Sequence, residues 1–170
     1  MTDLFLKAFF ALTLIAGGMV LPPPPVANAQ DSGLTVGTQA PSAKLSTLDG
    51  KTVDLAQIAK GPAVIEFWAT WCENCEALLP AMKKAEATYG SRVKFVAVAV
   101  NVNQSVNRVK LHVAKYGVPG VQLWDAKGDA TGKWDVPATS YVVVLDKAGK
   151  VVYTGVGGTQ DLETAIKKAL

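Results

Sequence analysis

The run Glu66-Phe67-Trp68-Ala69-Thr70-Trp71-Cys72-Glu73-Asn74-Cys75 decides how this chain is read. It holds the only two cysteines, separated by two residues. Upstream, Ala63-Val64-Ile65-Glu66-Phe67-Trp68 is apolar apart from Glu66, as expected of a strand covered on both faces. Downstream, Leu78, Leu79, Met82 and Ala85 recur at helical spacing. A helix is therefore expected from Cys72 to Tyr89, kinked at Pro80 and ended by Gly90. A Cys-x-x-Cys pair closes so small a loop that it constrains the unfolded chain little, which makes it a poor staple. At a strand-to-helix junction it is better suited to redox chemistry. There the unpaired backbone N–H groups and the helix dipole favour the thiolate, the nucleophilic form of cysteine.

The expected roles follow from position. Cys72, at the helix start, is the attacking residue and forms a mixed disulfide with a substrate. Cys75, one turn further in, attacks Cys72 and closes an internal disulfide. Cys75 is expected to be the more shielded thiol and to need a base. Glu66 is the candidate, because burial among apolar neighbours raises a carboxyl pKa and lets it accept a proton near neutral pH. Glu73 puts a carboxylate beside Cys72. That disfavours the thiolate and tilts the couple toward reductant. Trp71, Glu73 and Asn74 are assigned to the surface that meets substrate, and Trp68 to core packing. No cofactor is required, since the two cysteines carry the electrons.

Working outward, Asp49-Gly50 is a two-residue turn between strands at Ala43–Leu48 and Lys51–Val53. Asp54 can cap a short helix to about Ala59, which Gly61-Pro62 ends. Val93–Val100 reads as a second central strand, followed by a helix over Gln104–Tyr116. A short strand is expected within Val118–Trp124 and one helical turn within Lys127–Trp134. Strands at Ser140–Leu145 and Lys150–Gly155 flank the turn Asp146-Lys147-Ala148-Gly149, and Asp161 can start a last helix. Alternating strands and helices imply a parallel centre, and the late hairpin adds antiparallel strands.

Val36-Gly37 with Ala40-Pro41, then Leu48-Asp49-Gly50, then Phe67-Trp68-Ala69-Thr70-Trp71-Cys72, resemble the TlpA-like branch of the thioredoxin superfamily in order and spacing. Pro80, five residues after Cys75, matches that family's kinked helix, and Glu66 falls where thioredoxin carries its buried acid. The resemblance spans about residues 36–170. It implies an α/β thioredoxin fold, a central mixed sheet flanked by helices, with an added N-terminal β-hairpin. It also implies disulfide-bearing protein substrates, a membrane thiol-reductase as electron donor, and a site of action outside a bacterial inner membrane. The family places a cis-proline opposite the Cys-x-x-Cys, just before a strand that ends in Asp-x-x-Gly. Counting back from Asp146 puts Ser140 there, whereas Pro137 lies three residues earlier. Pro137 is assigned to the substrate-facing site and Ser140 is the alternative.

The N-terminus reads as a segment apart. Lys7, an apolar run from Ala8 to Leu21 and the exit Ala27-Asn28-Ala29 have the pattern of a secretory signal peptide over residues 1–29. Left uncleaved, it would anchor the chain to a membrane. Residues 30–36 read as a linker and 37–170 as one thioredoxin-like domain. The net charge is +3, and the only arginines, Arg92 and Arg108, form no basic stripe, so no nucleic-acid partner is expected. His112, the single histidine, is expected at a surface or boundary. Two cysteines and one histidine do not complete a zinc site, and Glu76 after Cys75 rules out a haem-attachment motif. The rival classes are a thiol peroxidase on a related fold, which needs an arginine near its cysteine, and a copper carrier without catalysis.

Overall fold

The computed structural model describes residues 33–170. The proposed signal peptide, residues 1–29, lies outside them. The first hairpin pairs β1 (Lys44–Thr47) with β2 (Thr52–Asp54) around the Asp49-Gly50 turn. Gly50 takes φ 96°, a conformation that glycine adopts without a Cβ penalty. Asp54 then caps α1 (Leu55–Ile58), its carboxylate accepting from Ala56 N–H at 2.9 Å. The central elements are β3 (Ala63–Trp68), α2 (Glu73–Tyr89), β4 (Lys94–Val100), α3 (Val106–Tyr116) and β5 (Val121–Asp125). After the short α4 (Asp129–Lys133) come β6 (Tyr141–Leu145), β7 (Val151–Val156) and α5 (Leu162–Lys167).

The strands form one sheet in the order β2-β1-β5-β4-β3-β6-β7. β3, β4 and β5 are parallel, and β1 and β6 join them antiparallel on either side. This is the mixed sheet of the thioredoxin fold, extended by the N-terminal hairpin. All six residues of β3 are buried, which explains its almost continuous apolar sequence. Alternate side chains feed two apolar clusters. Ile65, Val143 and Leu145 belong to one, whereas Val64, Val142 and Val144 pack with Leu78 and Met82 of α2 and Ile166 of α5 in the other.

Two boundaries differ from the sequence reading. The domain begins earlier than residue 37. Gly33 N–H donates to the Asp135 carboxylate at 3.1 Å and Leu34 N–H to the Tyr141 hydroxyl at 2.8 Å, so the described part of the expected linker is bound to the domain. Helix α3 begins at Val106 rather than Gln104, because the Ser105 hydroxyl caps it by accepting from Arg108 N–H at 3.3 Å. This leaves Gln104 outside the helix, where its side chain has another task.

Candidate active site

Glu66 to Trp68 form the second half of β3, and Ala69-Thr70-Trp71 carries the chain over to α2. Cys72 is the N-cap of α2, with φ −89° and ψ 106°, and its Sγ accepts from Cys75 N–H at 3.1 Å. The two cysteines form a disulfide with their Cα atoms 5.2 Å apart. Cys72 is 8% and Cys75 7% exposed, so in this oxidised form burial does not separate them as the sequence reading expected. Their difference lies in helix position. Only Cys72 holds the cap, where the first-turn N–H groups and the dipole stabilise negative charge on sulfur.

The junction before Cys72 is tied to the loop that follows β4. Thr70 N–H donates to Gln104 Oε1 at 2.8 Å, Gln104 Nε2 donates to the Val100 carbonyl at 2.5 Å, and Trp71 Nε1 donates to the Val102 carbonyl at 2.8 Å. Gln104 thus bridges the ends of two adjacent parallel strands. Sequence reasoning placed it inside a helix and missed this. The cue was Ser105, a better N-cap one residue later.

Glu66 lies opposite Ala97 of β4 and Val142 of β6 and is 4% exposed. Burial pushes its carboxyl pKa up from 4.5 to about 8. Glu66, Trp68, Cys72 and Cys75 line one cavity of about 430 Å³. Trp68 Nε1 and Thr70 Oγ1 have no hydrogen-bond partner among the described residues, and both of these residues also line it. Trp71 stands at the rim, 42% exposed, with Glu73 and Asn74 exposed beside it.

His112 and Arg108, both remote in sequence, line the same cavity from α3. The His112 ring packs at a tilt of 44° against Trp68 and against Tyr116, with ring centroids 5.3 and 4.5 Å apart. Its pKa is lowered, chiefly by burial, against an opposing pull from Glu76. Helical spacing alone could not reveal this. It required knowing that α3 packs beside the head of β3.

Pro137 is exposed, every described peptide bond is trans, and neither Pro137 nor Ser140 lines the cavity. Ser140 is the residue that leads into β6. It is fully buried with φ 62°, and its hydroxyl donates to the Gly157 carbonyl at 3.0 Å. Gln160 Nε2 donates to the carbonyls of both Ser140 and Gly157, at 3.0 and 2.8 Å. The next residue, Gly158, abuts the first turn of α2. A Cβ there would lie 2.7 Å from Ala77 Cβ and 3.1 Å from the Asn74 carbonyl. Ser140 is thereby linked through Gly157 and Gln160 to the turn that meets the Cys-x-x-Cys helix. No group of three or more His, Cys, Asp or Glu among the described residues could hold a metal ion.

A family model described as Redoxin matches residues 35–170. The chain belongs to the Redoxin family. The thioredoxin-like protein YneN of Bacillus subtilis is 33% identical over 132 residues, covering 76% of each chain. The thiol-disulfide oxidoreductase ResA of Bacillus thuringiensis is 27% identical over 142 residues, covering 82% of each. A structure from Chlorobium tepidum, provisionally described as the thiol:disulfide interchange protein DsbE, superposes with a TM-score of 0.71 at 26% identity. The match covers 80% of this redoxin and 98% of that chain. With its paired cysteines, this redoxin is a TlpA-like thiol–disulfide oxidoreductase.

Proposed function

We propose that this redoxin is an exported reductant of protein disulfides, with Cys72 as nucleophile, Cys75 as resolving thiol and Glu66 as proton acceptor. The observation that carries the reading is the placement of Cys72 at the cap of α2 on a cavity shared with Cys75 and the buried Glu66. In the dithiol form, the Cys72 thiolate attacks one sulfur of the substrate disulfide. The other substrate sulfur leaves and takes a proton. Glu66 then accepts the Cys75 proton, and the Cys75 thiolate attacks Cys72 Sγ, expelling the second substrate sulfur. Two electrons pass to the substrate, and this redoxin ends as the Cys72–Cys75 disulfide. Trp71 and Glu73 line the cavity, Asn74 is exposed beside Glu73, and all three are assigned to the surface that meets substrate.

The direction rests on Glu73. Its carboxylate follows Cys72 directly and opposes the helix dipole, making the reduced form less favoured. Export rests on the pattern of residues 1–29, and re-reduction is assigned to a membrane thiol-reductase. The test is equilibration with glutathione. A reduction potential well below about −200 mV supports a reductant, and one near about −120 mV, the oxidant end of the scale, overturns it.

One observation favours a second reading, a thiol peroxidase: Arg108 lines the cavity with Cys72, which its place in the sequence did not suggest. Peroxide consumption by a Cys75→Ser variant at the wild-type rate would establish it. Loss of turnover in that variant keeps the dithiol mechanism.

A further inference from the structure

The mouth of the cavity has two unlike walls. The start of α2 contributes Glu73 and Glu76, whereas α3 contributes Arg108, Leu111 and Lys115. On α3 these three fall at intervals of three and four residues, along one helix face. Val109, which is fully buried, holds the opposite side against the core. Leu111 is 73% exposed, so the core does not account for a leucine at this position. Neither Arg108 nor Lys115 has a carboxylate within ion-pair distance among the described residues. An exposed apolar side chain thus lies between two cations that have no carboxylate partner, on the cavity that Cys72 and Cys75 also line; Lys115 rests over the Tyr116 ring, 4.8 Å from its centroid.

We infer that α3 selects the substrate: it takes an extended polypeptide segment whose cysteine is flanked by an apolar side chain and by acidic residues. The inference rests on the oxidoreductase reading above and names the substrate class for that site. The spacing supports a polypeptide. Seven residues of helix separate Arg108 from Lys115 by about 10 Å, which an extended segment covers in about three residues. Because successive side chains of an extended segment point to opposite sides, acidic residues four apart, about 13 Å, share a side with an apolar residue midway between them over Leu111, and the long stems of Arg108 and Lys115 cover the difference. The Glu73 and Glu76 wall repels the same acidic residues, so the two walls together fix which way the segment lies.

The test uses the reduced full-length protein and disulfide-linked peptides of one length. Their cysteine is flanked by Asp-x-Leu-x-Asp, by the same frame with Ser in place of Asp, or by the same frame with Lys in place of Asp. Hydroxyethyl disulfide serves as a small neutral substrate and glutathione disulfide as a small anionic one. The expected result is a kcat/KM higher for the Asp than for the Lys peptide by roughly tenfold at low salt, shrinking in high salt as exposed charges are screened. The order should reverse in an Arg108→Glu, Lys115→Glu double variant. Equal rates for the three peptides, or an unchanged order in the double variant, overturn the inference while hydroxyethyl disulfide reduction keeps the oxidoreductase reading intact. Glutathione disulfide reduced as fast as the Asp peptide overturns the polypeptide assignment. Failure to reduce any of these disulfides sinks the oxidoreductase reading and the inference with it.

Discussion

Replacing Glu66 by Gln should make the protein more stable, by an amount that depends on pH in a defined way. In the folded state the carboxyl pKa is raised from its ordinary 4.5 to about 8, because β3 buries it between β4 and β6. The unfolded chain therefore loses this proton at lower pH than the folded one does. Stability is present in full below about pH 4.5 and declines as the pH rises toward 8. At 1.36 kcal/mol per pH unit, the loss is roughly 3 kcal/mol by pH 7 and approaches about 5 kcal/mol above pH 8. Against a typical domain stability of about 5–15 kcal/mol, that is a large share. Glutamine has the same shape and no charge to lose. Urea unfolding of the oxidised wild type and of Glu66→Gln, from pH 5 to 9, measures the difference. The oxidised form keeps both cysteines out of the titration, and His112 contributes alike to both proteins. The variant's advantage should grow by about 1.4 kcal/mol per pH unit between pH 5 and 8, then level off. A difference that stays constant from pH 5 to 9 would refute the reasoning, since it would mean that Glu66 ionises as an exposed carboxyl does.

Three further outcomes are expected. Gln104→Ala removes the acceptor for Thr70 N–H and a donor to Val100; it should cost about 1–2 kcal/mol and speed hydrogen exchange at the Thr70 amide, read by NMR. Gly158→Ala drives a methyl group against Ala77 and the Asn74 carbonyl; calorimetry should show a lower Tm, corresponding to about 1–3 kcal/mol. Asp125→Ala strands the amide of Thr131, which Asp125 binds at 2.8 Å from full burial; a loss of roughly 2–3 kcal/mol in urea unfolding is expected.

Most of the fold was legible because local chemistry and tertiary packing agree. The apolar run Ala63–Trp68 is buried on both faces, and its observed ends match those expected. Asp54 and Asp161 accept from the helix N–H groups at the starts they were expected to cap. The cysteine pair was legible from its spacing, and the burial of Glu66 from its place in an apolar strand. What the sequence could not supply was the third dimension around the pair. His112 and Arg108 reach the cavity only because β4 lies beside β3 and sends the chain back through α3. Gly158 matters only because the turn after β7 meets α2. Asp125 was unremarked because nothing in a short strand signals that its last carboxylate folds over the next helix. Pro137 was preferred on residue type, and the structure places it at the exposed surface. Counting back from Asp146 already led to Ser140, the buried residue that leads into β6.

The unequal roles of the two cysteines are tested most directly by reducing insulin with the wild type, Cys72→Ser and Cys75→Ser, and analysing the products under non-reducing conditions. Cys72→Ser should be inactive and form no covalent adduct. Cys75→Ser should accumulate a mixed disulfide between Cys72 and the substrate. Turnover by Cys72→Ser at the wild-type rate, or adducts forming through Cys75 in its place, would contradict the assignment of Cys72 as the attacking residue.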